Sequence, residues 1–417
     1  MKIAILSDLH FGFASSSESE EDSFENANEA MEKCLDADLI LIPGDLFDTR
    51  IPKTSVWAKA IKILVKPLLK ESSGLTVLNS DKELKDISKR CLKHIPIVAL
   101  HGTHERRSKE EVNVIEALEH AGILIHLHCN TMVLEKNGKK VAIHGMSGVP
   151  ERFAKDVLNR WNPQPVKDCF NILMLHQSVD PYVYSPLEPP TISLSNLPKG
   201  FDMIIDGHMH SHGQEKIGDT ILVFPGSTVI TQMEKNEAGA EKGVYLVDLN
   251  EEVKIEFKPL EKNRKFFYEE VGVENYKEWI EMKLDEILKE NFEKKPIVKI
   301  KIRGKELEVQ EEELRNIERK FSGKALVVFS KELEKEEIMQ KVEFLRSLRE
   351  ERRSVEEIGV EILKRNLDQL GFDPSFDYEQ LLDLLSENQA EKIFNLLTGE
   401  QKTLLENLKV DGNDNPS

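Results

Sequence analysis

Five short motifs hold the side chains of this sequence that could do chemistry together: SDLH (Asp8, His10), PGDLFD (Asp45), HGTHE (His104), LMLHQS (His176) and DGHMH (His208, His210). A lone Asp-x-His or His-x-His is more often surface decoration or a satisfied core polar group than a metal site. In series, each opening a loop after an apolar run, they are hard to produce by chance. Asp8 and Asp45 offer oxygen donors, and His10, His176, His208 and His210 offer nitrogen. That mixture suits manganese, iron or zinc better than magnesium or calcium. A carboxylate such as Asp45 can also bridge two ions, and an ion pair ~3.5–4 Å apart is a standard device for phosphoryl chemistry.

Side chains so far apart in sequence need a scaffold that brings loops to one edge. The first half alternates short apolar runs with helical patterns: KIAIL, a helix from about Phe24 to Leu35, DLILIPGD, a helix around VWAKAIKIL, and IPIVALHG. Later come KVAIHGM, FNILMLHQ, FDMIIDGH, TILVFPGS and GVYLVDL. Such runs predict stacked sheets with helices outside, an α/β layer architecture with functional residues at strand ends. All twelve histidines lie between His10 and His212, so the chemistry belongs to the first half. Near Leu260 the pattern changes: residues 266 to 332 read strand, helix, strand, charged helix, strand, a small α+β unit. From about Glu334 the chain reads as helix. Ser354 and Glu357 form a capping box, Gly371 and Pro374 a stop, and Leu381, Leu382, Leu384, Leu385, Ile393, Leu396 and Leu397 crowd two short helices. The tail DGNDNPS is expected to be disordered.

With 40% hydrophobic and 32% charged residues and a mean hydropathy of -0.40, the chain reads as soluble and globular. No stretch approaches the ~20 apolar residues of a membrane helix, and MKIAIL is too short for a signal peptide before Asp8 interrupts it. The expected location is the cytoplasm. The four cysteines are scattered without a CxxC pair, which predicts reduced thiols. A net charge of -18 counts against a generic polyanion binder. Nucleic acid would have to be handled locally, through metal ions, or beside a partner that supplies positive surface.

The set D-x-H, G-D, G-N-H-D/E, H and G-H-x-H is the pattern of the calcineurin-like metallophosphoesterases, and the sequence resembles that superfamily over roughly residues 1 to 260. Within it, GDLF, LMLHQS, GHMH, FPGST and GVYLVDL resemble the SbcD, or meiotic recombination 11, nucleases of double-strand-break repair. The resemblance implies a four-layer α-β-β-α sandwich (1–260), a small α+β capping domain (261–337), a helical ATPase-partner-binding region (338–409) and a tail (410–417). It implies two Mn2+ per chain: Asp8, His10, Asp45 and His210 around the first, and Asp45, the residue at 103, His176 and His208 around the second. It makes His104 a general acid toward the leaving 3′ oxygen, with Glu105 orienting the loop. The implied activity is exonucleolytic and endonucleolytic cleavage of DNA ends. The implied partners are a second copy, through helices near Val56–Leu64 and Val112–Leu118, and an SbcC-like coiled-coil ATPase that docks on the C-terminal helices.

The sequence departs from the family pattern at two positions. Thr103 stands where the pattern has a ligating asparagine, so its hydroxyl would coordinate directly after a loop shift, through water, or with lowered affinity. Asp48 stands where some relatives carry a histidine that assists with DNA. Arg106 and Arg107 are candidate phosphate contacts or, equally, a solvated helix cap. His126 and His128, His144 and His94 read as structural, His101 as support behind the site and His212 as pocket rim. Tyr182 and Tyr184 are candidates to stack on a base, although a rigid surface loop is commoner. The run at 15–22 reads as solvated acid. Two competing readings are a phosphoesterase of nucleotides or other small phosphodiesters, and a non-catalytic scaffold for which Thr103 is the only support.

Overall fold

A computed structural model describes residues 1–333 except 16, 84, 86, 108–110, 183–191, 273, 275 and 305–308, and beyond them residues 359–360, 363–364, 378–386 and 392–393. The chain divides into two compact units, 1–339 and 340–417.

The first unit is built on two large sheets. One has six strands in the order Lys254–Pro259, Gly243–Asp248, Lys2–Ile5, Leu39–Ile42, Ile97–Ala99 and Ile125–His126. The last four are mutually parallel, and Lys2–Ile5 pairs antiparallel with Gly243–Asp248. The other has seven strands in the order Gly213–Ile217, Thr220–Phe224, Met203–Asp206, Phe170–Leu175, Lys139–Met146, Asn130–Lys136 and Thr76–Ser80. Its four strands from Thr220–Phe224 to Lys139–Met146 are parallel.

Strand periodicity decides which side chain faces which layer. Ile3, Ile5, Leu39 and Leu41 point between the sheets, where they meet Ile143, Ile172, Met174, Met203 and Ile205. Their neighbours Ala4, Leu6, Ile40 and Ile42 point outward beneath the helices Asp22–Cys34, Thr54–Leu64 and Val114–His120. The outward face of the second sheet, with Leu173, Leu175 and Ile204, packs against Ala154 and Leu158 of the helix Glu151–Trp161. The result is the α-β-β-α layering. Each fully buried aliphatic side chain contributes ~1.5–3 kcal/mol, so the sheet ends are held on a rigid support.

Between 266 and 333 the strands Phe266–Gly272, Ile297–Gly304 and Leu326–Leu333 form a parallel sheet. The helices Tyr276–Ile287 and Glu311–Phe321 cover one face through Ile280, Leu284, Leu314 and Ile317. The other face sets Phe266 and Ile297 against Ile230, with Met233 and Ala238 beside them. Arg264 also pairs with the buried Asp22. No described helix is long and apolar enough to cross a membrane.

In the second unit the helix Tyr378–Ser386 buries Leu381 and exposes Leu385, and a Cβ at Gly359 would lie 3.0 Å from Leu382. The expected capping box, stop signal, Leu396, Leu397, tail and Tyr184 lie outside the described residues. Val56, Ile63 and Leu64, expected near a dimer contact, are buried in the core, whereas Val112 is exposed.

Candidate metal centre

Every motif leaves the C-terminal end of a parallel strand, and the two sheets present those ends on one side. Asp8 and His10 follow Lys2–Ile5, Asp45 follows Leu39–Ile42, and Thr103 and His104 follow Ile97–Ala99. From the second sheet, His176 follows Phe170–Leu175, while His208 and His210 follow Met203–Asp206. This is where open α/β sheets bind their ligands.

The backbone is forced to bring the side chains in. Asp8, His10 and Asp45 have φ of 50°, 43° and 47°, a left-handed conformation that costs a non-glycine residue about 1–2 kcal/mol. Two glycines make the close approaches possible. At Gly44 (φ +114°) a Cβ would lie 2.3 Å from His176 Nδ1, and at Gly102 it would lie 2.1 Å from Asp45 Oδ1.

Asp45 sits at the centre. Its Oδ2 is 3.1 Å from His176 Nε2 and accepts the Thr103 hydroxyl at 3.2 Å, while Oδ1 accepts the His104 main-chain N–H at 3.0 Å. His176 Nδ1 donates to the Pro43 carbonyl at 2.7 Å, so Nε2 presents its lone pair to the site. On the other side, His10 Nε2 and His210 Nε2 are 3.4 Å apart, and the Asp8 carboxylate lies 3.9 and 3.6 Å from them. His208 is buried, its ring centroid 5.4 Å from that of His176. Among the described residues, neither oxygen of the fully buried Asp8 has a hydrogen-bond partner. A buried carboxylate left this way costs several kcal/mol unless a cation or proton meets it. The orphaned oxygens and the converging imidazoles fit a divalent cation, and Asp8/His10/His210 and Asp8/Asp45/His176 each place ligand atoms within 4.8 Å of one another.

The electrostatics agree. Burial, reinforced by Asp45, pushes the Asp8 carboxyl well above its ordinary value. Burial acts the same way on Asp45, but His176, His104 and His10 outweigh it and hold that carboxyl well below. Glu105 is buried and accepts main-chain N–H groups of Phe47 (2.8 Å) and Gly102 (2.9 Å), tying the Asp45 loop to the His104 loop. Burial and Asp45 push its carboxyl well up.

His104 stands at the rim, its side chain 42% exposed, with Nδ1 donating to the Asp48 carbonyl at 2.8 Å. The Asp48 carboxylate comes within 3.3 Å of His10 Nδ1. Arg106 lies 3.9 Å from Glu151, and Arg107 lies 3.5 Å from Glu111.

A family model for calcineurin-like phosphoesterases matches residues 1–212. The chain belongs to the calcineurin-like phosphoesterases. Among its relatives, this phosphoesterase is similar to the DNA double-strand break repair protein Mre11 of Thermoplasma acidophilum, 28% identical over 72% of this chain and 76% of the relative. It is also similar to the protein of the same name from Sulfolobus acidocaldarius, 28% identical over 64% of each chain. The mouse double-strand break repair protein MRE11 is 23% identical over 66% of this chain, which spans 43% of that longer relative.

Five other histidines of the phosphoesterase contact groups outside the Asp45 cluster. His101 Nδ1 lies 3.0 Å from His126 Nε2, which is 3.2 Å from Ser147 Oγ. Burial drives His101 down to about 3 and His126 well below its ordinary value. His144 contacts Thr131 and Asn171, His94 the Lys70 carbonyl, and His212 stacks on Phe257 at 3.8 Å. Tyr182 hydrogen-bonds Glu215 and packs on Phe224. Sequence reasoning missed Asp206, although it opens DGHMH. It is fully buried, accepts the Gln177 and His208 N–H groups, and is raised by burial to about 6. It also missed Thr231, whose hydroxyl is 2.7 Å from His210 Nδ1.

Proposed function

We propose that this phosphoesterase is a manganese-dependent DNA nuclease that cleaves phosphodiester bonds at DNA ends, exonucleolytically and endonucleolytically. The observation that carries the reading is the convergence of Asp8, His10, Asp45, His176 and His210 on one buried site in which neither Asp8 oxygen has a hydrogen-bond partner among the described residues. The relatives named for double-strand-break repair favour DNA over small phosphodiesters.

In this assignment Asp8, His10, Asp45 and His210 hold one ion, and Asp45, Thr103, His176 and His208 hold the other. When bound, two Mn2+ ions supply water deprotonated near neutral pH and positive charge against the non-bridging phosphate oxygens. The chain does the rest. Asp45 and Glu105 fix the loops that carry the ligands. His104, with Nδ1–H held on the Asp48 carbonyl, aims Nε2 at solvent, where an imidazolium proton passes to the leaving 3′ oxygen. Arg106 and Arg107 serve as phosphate contacts by exchanging Glu151 and Glu111 for the DNA backbone.

The same proposal divides the chain at 260, 337 and 409, and gives it a second copy and an SbcC-like coiled-coil ATPase as partners in the cytoplasm. A partner of that kind would add positive surface to a chain of net charge -18. The test is to incubate the purified chain with Mn2+ and linear duplex DNA, and in parallel with nucleotides and a small aryl phosphodiester. Cleavage of DNA with little turnover of the small esters is expected, and the reverse preference overturns the reading.

A further inference from the structure

Lys242, next to the strand Gly243–Asp248, is 2% exposed. Its ammonium donates to the His210 carbonyl at 3.0 Å, Ser227 Oγ at 2.8 Å and Glu237 Oε1 at 2.8 Å. Glu237 is equally buried, and its other oxygen accepts the main-chain N–H groups of Gln232 (2.9 Å) and Met233 (2.8 Å). One ion pair therefore grips His210 from behind and closes the loop 227–233 over it. The loop is pressed close: the Ser227 N–H donates to the His210 carbonyl at 3.1 Å, and a Cβ at Gly226 would lie 2.8 Å from the His212 nitrogen. Thr231, at the turn of this loop, meets His210 Nδ1 at 2.7 Å.

A buried ion pair gives little stability that a well-packed apolar pair would not, because both charges lose their hydration. Its retention beneath a proposed ligand calls for a geometric reason. We propose that Lys242 and Glu237 are positioning residues that lock the 227–233 loop so that Thr231 accepts the Nδ1–H of His210. The ring is then fixed in rotation and tautomer with Nε2 turned toward Asp8 and His10. The acceptor on the far nitrogen of a ligating histidine governs both orientation and basicity, and losing it typically weakens metal binding ~10–100-fold. This inference rests on the metal reading of the site given above.

The test measures Mn2+ binding to the purified full chain by titration calorimetry, together with the Mn2+ paramagnetic resonance spectrum. The variants are Thr231→Val, Thr231→Ser, and Lys242→Met combined with Glu237→Gln. The native chain is expected to bind two ions that give an exchange-coupled spectrum. Thr231→Val and the double variant should lose about tenfold to a hundredfold in affinity for one ion, with the coupled spectrum replaced by a mononuclear one. Thr231→Ser should retain native binding, which a merely structural role for the methyl group would not predict. If the double variant fails to fold by circular dichroism, Glu237→Gln alone is read in its place with the same expected loss. Native affinity for both ions in folded Thr231→Val, or in the folded ion-pair variant, overturns the assignment. A native chain that binds no Mn2+ removes the metal reading itself and the assignment with it, an outcome distinct from variants that bind as the native chain does.

Discussion

The Thr103 hydroxyl donates to the Asp45 oxygen that His176 Nε2 also approaches, at 3.2 and 3.1 Å. The residue that departs from the family pattern therefore still aims its oxygen into the site, but from a side chain one atom shorter than asparagine. Thr103→Asn should tighten binding of one Mn2+ by about tenfold and Thr103→Val should weaken it by about as much. Calorimetric titration of the three proteins decides this, and equal affinities would remove Thr103 from the ligand set.

On the proposed metal assignment, Asp8 would trade stability for metal binding. Among the described residues its carboxylate oxygens are buried without hydrogen-bond partners, so Asp8→Asn should raise the Tm of the metal-stripped protein and remove most of the stabilisation expected from Mn2+ at its proposed site. For one ion site that stabilisation is expected to be about 2.7 kcal/mol at a hundredfold excess over Kd. Thermal unfolding in EDTA and in Mn2+ measures both effects, and an unchanged Mn2+ response in the variant contradicts the role of Asp8.

His101 makes stability depend on pH. Burial lowers its folded-state value from 6.5 to about 3. Between those values the unfolded chain binds the proton and the native chain does not. The contribution is complete above pH 6.5 and is lost as pH falls toward about 3, with a slope of up to ~1.4 kcal/mol per pH unit. His126, also lowered by burial, acts in the same direction. Denaturant unfolding across this range should therefore show a shallower, but not flat, dependence in His101→Asn.

Gly44→Ala should be far more damaging than Gly138→Ala. Both positions have positive φ, but a Cβ at Gly138 meets nothing within 4 Å, whereas at Gly44 it would lie 2.3 Å from His176 Nδ1. The Gly138 variant should cost about 1 kcal/mol of backbone strain. The Gly44 variant should cost more and also lose Mn2+ affinity. Chemical denaturation and Mn2+ titration of the pair separate strain from displacement of the ligand.

The motifs that converge on the site were legible because each is local: an apolar strand, then a turn that ends in Asp or His, repeated in strands that become parallel neighbours. The layering was legible because KIAIL and DLILI are short continuous apolar runs, as strands covered on both faces must be, with helical patterns between them. The supports behind the ligands were not. Lys242 and Glu237 sit in EKNEAGAEKGV, a charged segment without apolar periodicity, yet both are buried in the fold. The strand Thr76–Ser80 escaped notice because it is a largely exposed edge strand without apolar alternation. The carboxylates beside Arg106 and Arg107 come from Glu151 in the helix Glu151–Trp161 and from Glu111 four residues along the chain, and neither pairing is written in HGTHERR. The helix expected from Phe24 to Leu35 runs from Asp22 to Cys34, an end shift that cap residues routinely produce.

The most direct test of a metal-dependent nuclease centred on Asp45 is a Mn2+ titration of linear duplex DNA cleavage by the native chain, run beside Asp45→Asn and His104→Ser. The native protein should cleave in a saturable, Mn2+-dependent manner that EDTA abolishes. Asp45→Asn should lose both binding and cleavage, and His104→Ser should bind Mn2+ normally but cleave at least ~100-fold more slowly. Cleavage by Asp45→Asn at the native rate, or none by the native chain at any Mn2+ concentration, would contradict it.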